Sequence, residues 1–117
     1  MQVSSFKKAN ILLVEDDEVD IMNIKRAFKK NQIPNPLFVA NNGLEALDML
    51  LGDNGAIKIE PTPKIILLDI NMPKMNGIEF LSKLREISTL KSISVFVMTT
   101  SNEDKDKMDA YNLNVAG

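Results

Sequence analysis

Two short runs of aliphatic residues in this chain end directly in acidic residues. Ile11–Val14 is followed by three acids at 15–17, and the run at 65–68 is followed by Asp69. Runs of this length, without alternation of apolar and polar residues, are typical of parallel strands buried on both faces. The carboxyl ends of such strands lie at one edge of a sheet, where open α/β folds build their sites. We therefore expect these acids to share one pocket.

The rest of the chain alternates between similar runs and segments of helical periodicity. Two further strands are predicted, at Leu37–Ala40 and 95–98. Four amphipathic helices are predicted from apolar residues spaced three, four or seven apart. They are indicated by Ile21, Ile24 and Phe28, by the segments Gly43–Leu51 and Gly77–Glu86, and by Met108, Tyr111 and Val115. Because strand and helix alternate throughout, we predict an α/β fold with a doubly wound parallel sheet and right-handed crossovers.

Composition narrows the classes of function. At 117 residues the chain is expected to form one domain, and its 14 basic and 16 acidic side chains leave a net charge of -2. No basic run favours direct nucleic-acid binding. The absence of cysteine and histidine excludes a thiol nucleophile, a His/Cys zinc site, a Ser-His-Asp triad and an internal phosphohistidine. No apolar run is long enough for a membrane span or a signal peptide, so we expect no membrane association and a cytoplasmic protein.

Two connections between predicted elements have informative sequences. The segment 52–63 is longer than the usual α/β connection of about 2 to 6 residues, and we predict a surface loop with no necessary function. After Asp69 the chain contains Asn71, Pro73 and the pair Asn76-Gly77. The proline disfavours helical angles just before it, and the Asn-Gly pair suits a turn into the next helix. Such a loop can turn a backbone carbonyl toward the acids.

The acids also have an ordinary explanation. Acids that open a helix can cap it or favour its positive end, so residues 15–17 alone are not diagnostic. Asp69 is more informative, because a lone charge after a buried strand is costly unless the site is open or binds a metal. Crowded carboxylates raise each other's pKa unless a cation lies between them, which points to a hard divalent ion such as Mg²⁺. Thr99, at the end of the fourth predicted strand, says nothing on its own.

In combination, these motifs resemble the receiver domain of bacterial two-component response regulators. The resemblance rests on the acidic pair after the first strand, on Asp69 with Pro73 and Gly77 behind it, and on Thr99 after the fourth strand. It covers nearly the whole chain. The segment 67–73 and the long loop before the third strand are similar to single-domain regulators of phytochrome-type histidine kinases. The resemblance implies a flavodoxin-like strand order of 2-1-3-4, with the family's fifth strand and fifth helix absent from this chain.

The resemblance also implies what each site residue does. Asp69 would be the phosphorylated residue and Thr99 the switch hydroxyl. Glu15 and Asp16 would be the acids of a Mg²⁺ site, in which Asp16 and Asp69 are direct ligands and Asn71 lends its backbone carbonyl. The donor would be a sensor histidine kinase or a phosphotransfer protein, and a downstream protein would bind the phosphorylated state. The protein would then be a switch that catalyses its own phosphorylation and dephosphorylation, and not an enzyme of metabolism.

Two alternatives from other classes remain open. A phosphatase of the haloacid dehalogenase kind also uses a strand-end aspartate with Mg²⁺, but it needs a second aspartate at the position occupied here by Asn71. A pseudo-receiver, a pure interaction module on the same fold, would lack the phosphorylatable aspartate or the metal acids, and both are present.

One departure from the family concerns its last strand and helix. The family carries a switch aromatic and a phosphoryl-contacting lysine on a fifth strand, which by counting from Thr99 would begin just after Gly117. We therefore expect residues 1–117 to form a receiver domain that is incomplete at its C-terminus, either as a fragment or as a receiver that cannot complete its site unaided. The run 95–98 would then be an uncharged apolar edge. We therefore expect the chain either to self-associate, for example as a homodimer, or to be markedly less stable than a chain extended through the next strand and helix.

Overall fold

The computed structural model describes residues 9–69 and 76–98, and in that part of the chain it contains four strands and three helices. The strands are β1 (Ile11–Val14), β2 (Leu37–Ala40), β3 (Ile65–Asp69) and β4 (Ser94–Met98). The helices are α1 (Glu18–Lys30), α2 (Gly43–Leu51) and α3 (Gly77–Glu86). All pairings are parallel, in the order β2-β1-β3-β4. The predicted doubly wound sheet and its order 2-1-3-4 are confirmed, whereas the helix predicted through Met108 lies outside the described residues.

Strand boundaries follow the apolar runs closely. β1 and β2 have the predicted limits, while β3 includes Asp69 and β4 begins one residue early, at Ser94. Asp69 belongs to β3 because its backbone continues the pairing with β4, opposite Met98. The backbone of this acid is therefore held by the strand ladder.

The main core lies between the sheet and the helices α2 and α3. Leu12 of β1 pairs with Ile66 of β3, which pairs with Val95 of β4, so these three side chains form one layer across the sheet. Phe80 and Leu84 of α3 pack against this layer, and all five side chains are fully buried. Because the side chains of a strand alternate between faces, every second residue of each strand contributes to this core.

The opposite face of the sheet is covered less completely by the described residues. The apolar side chains of α1 reach only partial burial, and none of its residues is fully buried. Leu67 is half-buried, and Phe96 on β4 is 37% exposed. The expectation that the strands are buried on both faces is therefore wrong for β4. The reason is that β4 lies at the edge of the sheet formed by the described strands, and no other described element packs against this side of it.

Each helix begins at a polar side chain that satisfies free backbone N–H groups. Asp17 caps α1, Asn42 caps α2, and Asn76 caps α3. At α3 the cap is reciprocal, because Asn76 accepts from the Glu79 N–H while the Glu79 carboxylate accepts from the Asn76 N–H. α2 ends at Gly52, whose φ of 74° lies in the left-handed region that favours glycine.

The long connection between α2 and β3 has a structural role that the sequence did not indicate. Ile59 is only 3% exposed, and its N–H donates to the Met49 carbonyl at 2.9 Å. The Asn10 amide donates to the Pro61 carbonyl at 2.8 Å, and Pro63 is fully buried. The prediction of a surface loop without a necessary function is therefore wrong in part, since Ile59 fixes the loop to the core.

Across the described ranges, 9–69 and 76–98, no helix has the length and apolar character needed to cross a membrane.

Candidate functional site

The register of the sheet brings two acidic residues side by side. Val14 of β1 pairs with Leu68 of β3, so Glu15 and Asp69, one residue further on, lie next to each other at the carboxyl edge. The Glu15 N–H also donates to the Ala40 carbonyl at 2.9 Å, which holds this end of β1 against β2. The backbone of Glu15 is thus anchored to β2 and directly follows the last pair of the β1–β3 ladder.

Asp16 completes a cluster of three carboxylates with these two residues. One oxygen from each of Glu15, Asp16 and Asp69 lies within 4.8 Å of the others. Glu15 and Asp69 are 2% and 3% exposed, whereas Asp16 faces solvent. The cluster lines an open hollow of about 450 Å³, so two of its acids are buried at the base and one lies at the rim.

Asp17 orients the cluster without belonging to it. Its carboxylate accepts hydrogen bonds from the N–H groups of Val19 and Asp20, at 2.8 and 3.1 Å, and so begins α1. Its own N–H donates to Oε2 of Glu15 at 3.1 Å. The cap therefore fixes the turn that carries the acids and also holds Glu15, in agreement with the ordinary capping explanation for one acid of the 15–17 run.

The electrostatics of the cluster are perturbed at Glu15. Burial raises the pKa of Glu15 from its ordinary value of 4.5 to about 7, and the hydrogen bond from the Asp17 N–H only partly opposes this rise. The negative charge of Asp69, a side-chain hydrogen bond with it, and the charge of Asp20 raise the pKa further. Ionisation of Glu15 at neutral pH is therefore disfavoured. Three clustered carboxylate oxygens form a donor set that suits a hard divalent cation.

The structure contributes three residues to the hollow that the sequence interpretation did not assign. Glu18, Val19 and Asp20 line it from the first turn of α1, and Val19 is 63% exposed at its rim. Their position one to three residues after the helix cap was the available signal, because the first turn of a capped helix points at the same edge. Of the other predicted site residues, Asn71 and Thr99 lie outside the described ranges.

The chain is similar to known proteins in family, in sequence and in structure. The family model described as the response regulator receiver domain matches residues 11–117. A curated relative, the response regulator Rcp1 of Synechocystis, is 37% identical over 105 residues, which cover 90% of this chain and 71% of Rcp1. The chain spans less than half of several longer curated relatives that it also matches, for example 44% of one of them.

Solved structures share both the fold and the sequence pattern. A two-component response regulator from Legionella pneumophila is 50% identical, with a TM-score of 0.81, and the match covers 94% of this chain and 84% of that one. The phosphorylated cyanobacterial phytochrome response regulator RcpA is 34% identical, with a TM-score of 0.82, covering 92% and 76%. The Mn²⁺-bound form of Rcp1 is also 34% identical, with a TM-score of 0.77 and the same coverages.

Proposed function

We propose that this chain, which belongs to the response regulator receiver domain family, accepts a phosphoryl group on Asp69 and signals through the change that follows. The carrying observation is the position of Asp69. It is a nearly buried carboxylate at the end of a central strand, within 4.8 Å of two further acids. Similarity to a phosphorylated phytochrome response regulator supports the same chemistry. The sensor histidine kinase or phosphotransfer protein that acts as donor must carry the phosphohistidine, because this chain has no histidine.

The proposed reaction is an in-line displacement at phosphorus. An oxygen of the Asp69 carboxylate attacks the phosphoryl group, and the bond between phosphorus and the donor's histidine nitrogen breaks. The freed imidazole takes up a proton, and Asp69 becomes an acyl phosphate. The pairing of β3 with β4 holds the nucleophile at a fixed place in the hollow, so little of the reaction rate is lost to misorientation. The switch would in this sense catalyse its own phosphorylation. Attack of water on the same phosphorus would break its bond to the Asp69 oxygen, release inorganic phosphate and restore the carboxylate.

The carboxylate cluster is the proposed cation site. Glu15, Asp16 and Asp69 would hold Mg²⁺, with Asp16 and Asp69 as direct ligands and the backbone carbonyl of Asn71 as a further one. When bound, the ion supplies positive charge against the phosphoryl oxygens. Two observations support this site: the raised pKa of Glu15, which reflects its burial and the nearby charge of Asp69, and the Mn²⁺-bound form of the similar protein Rcp1.

Phosphorylation would be read as a change of local charge and packing. The phosphoryl group adds about -1.5 to -2 charge and strong acceptor oxygens to a hollow that is already acidic. Thr99 directly follows β4, and we assign to its hydroxyl a hydrogen bond to one of these oxygens. A downstream protein that prefers one of the two resulting packings of β4 and the segment after it would then receive the signal.

The decisive experiment compares phosphate incorporation in the parent and in Asp69→Asn. With Mg²⁺ and an acyl-phosphate donor, the parent should gain an acid-labile phosphate detected by intact-protein mass spectrometry. Asp69→Asn should gain none, because the amide has the same shape but is too weak a nucleophile. Asp53→Asn, an exposed acid on the α2–β3 loop, is the matched control and should react like the parent.

Other outcomes would assign the protein to another class. Undiminished phosphate on Asp69→Asn would contradict the assignment of the nucleophile. Turnover of phosphate esters by the parent would favour the haloacid dehalogenase alternative. A folded parent that takes no phosphate from any donor would favour the pseudo-receiver module.

A further inference from the structure

Three asparagines in this chain are followed directly by glycine, namely Asn42, Asn54 and Asn76. This dipeptide is chemically labile. The glycine has no Cβ to shield its backbone nitrogen, so that nitrogen can attack the side-chain carbonyl of the preceding asparagine. The sequence alone makes the three pairs equivalent, but the structure does not.

Two of the pairs are held in helix caps. The side-chain oxygen of Asn42 accepts the Glu45 N–H at 2.8 Å, and that of Asn76 accepts the Glu79 N–H at 3.0 Å. The glycines that follow are buried and form the first turns of α2 and α3. Attack on either asparagine would first have to break the cap and unwind the start of a helix, which is costly.

The third pair lies in an exposed turn between α2 and Ile59. Asn54 and Gly55 have φ values of 53° and 83°, and the Ala56 N–H donates to the Asp53 carbonyl at 2.9 Å, as in a tight turn of the mirror-image type. Both residues of the pair are exposed, and a Cβ added to Gly55 would meet no atom within 4 Å. One exposed hydrogen bond holds the Asn54 amide, from Nδ2 to Oδ1 of Asp48 at 2.8 Å.

We propose that Asn54 is a site of spontaneous deamidation, selected among the three Asn-Gly pairs by the turn in which it lies. The Gly55 nitrogen bonds to Cγ of Asn54 and loses its proton, while Nδ2 leaves with a proton as ammonia. The product is a cyclic imide. Water then opens the ring at one of its two carbonyls and leaves either aspartate or isoaspartate, so that the net change is one water consumed and one ammonia released. No oxidant, reductant or enzyme is needed.

The modification changes the contact between Asn54 and Asp48. In the aspartate product, the donor to Asp48 is replaced by a second carboxylate beside the first, and like charges at this distance repel. In the isoaspartate product, the backbone gains a methylene inside a four-residue turn. Both changes act between the end of α2 and the Ile59 anchor, so they loosen the loop at a distance from the acid cluster.

The test is a time course on the full chain in warm, mildly alkaline buffer, followed by trypsin digestion and tandem mass spectrometry. Cleavage after Lys30 and Lys58 leaves Asn42 and Asn54 in one peptide, so the capped pair is an internal control. Asn76 appears in the peptide 75–83. In the folded protein we expect Asn54 to react at least about tenfold faster than either capped asparagine. A rate ratio of this order corresponds to the free energy needed to break a helix cap.

A parallel time course in concentrated urea separates structure from sequence. Unfolding should bring the three rates to within about threefold of one another, since the caps are then lost. Asn54→Gln should abolish the reaction at this position, because the longer side chain closes the ring poorly. Equal rates in the folded state, or an Asn54 that reacts only when unfolded, would overturn the proposal.

Discussion

Glu15 is the residue at which the acidic hollow departs most from ordinary carboxylate behaviour. Its pKa is raised to about 7, first by burial and then by the neighbouring charges of Asp69 and Asp20. The folded protein therefore binds a proton that the unfolded chain releases near 4.5. Between these values the native state holds more protons than the unfolded state, so the free energy of unfolding falls as pH rises. This contribution is fully present below about pH 4.5 and is lost as pH passes 7.

We predict that in metal-free buffer the urea midpoint of the parent declines between pH 5 and 8 more steeply than that of Glu15→Gln. The extra decline should fall within the pH range of the shifted Glu15 titration. The glutamine keeps an oxygen that can accept the Asp17 N–H but does not titrate. Urea unfolding at several pH values with a chelator present measures the difference. Parallel profiles for the two proteins would show that Glu15 ionises normally in the folded state.

The exposed member of the cluster, Asp16, should control the response to Mg²⁺. A ligand that binds only the native state stabilises it by RT ln(1 + [L]/Kd), about 2.7 kcal/mol at one hundred times Kd. We expect millimolar Mg²⁺ to raise the thermal midpoint of the parent and to have little effect on Asp16→Ala. Glu18→Ala is the control, because Glu18 lines the hollow but lies outside the cluster. An equal Mg²⁺ response in Asp16→Ala would contradict the proposed site.

In α3 the reciprocal cap between Asn76 and Glu79 should stabilise the fold well beyond the helix start. The same helix carries Phe80, Leu81 and Leu84, all fully buried in the core. Asn76→Ala should lower the free energy of unfolding by about 1 kcal/mol, the usual effect of losing an N-cap acceptor. Asn76→Asp keeps an acceptor and should cost much less. Urea unfolding compares the two, and similar losses would show that the cap does not act through its hydrogen bond.

The strands and helices could be predicted because their signals are local. The aliphatic run Ile11–Val14 became β1 without change, and the proximity of the acids followed from the parallel register. Two features depended on contacts between distant residues and were missed. The burial of Ile59 depends on a bond to Met49, which no periodicity records. The partial exposure of Phe96 depends on what packs over an edge strand, whereas its own sequence run looks fully buried.

The role of each site residue also depends on contacts that the sequence does not show. The spacing of acids after β1 and β3 indicates where the carboxylates meet. It does not indicate that Asp17 would cap α1 and hold Glu15, since capping and metal binding use the same residue types. That crowded carboxylates raise each other's pKa was expected from the sequence. That Glu15 is the acid affected, with burial as the first cause, follows only from the paired strands.

The two faces of the sheet contribute unequally to the stability of the protein. One face packs against α2 and α3 and contains the main apolar cluster. The other borders an apolar groove of about 610 Å³, lined by Phe28 of α1 and by sheet residues that include Leu67 and Phe96. A side chain that borders an empty space makes fewer contacts, so truncating it removes fewer of them. Adjacent leucines on β3, Leu67 and Leu68, point to opposite faces and provide a direct comparison.

We predict that Leu68→Ala lowers the free energy of unfolding by about 2 to 5 kcal/mol, as expected for a fully buried leucine in a close-packed core. Leu67→Ala should cost distinctly less, because its half-buried side chain borders the groove and leaves little new cavity. Both substitutions remove the same atoms from the same strand, so propensity and unfolded-state effects cancel in the comparison. Urea unfolding of the two variants measures it. Equal losses would mean that the α1 face is packed in solution as tightly as the α2–α3 face, and that the groove is filled.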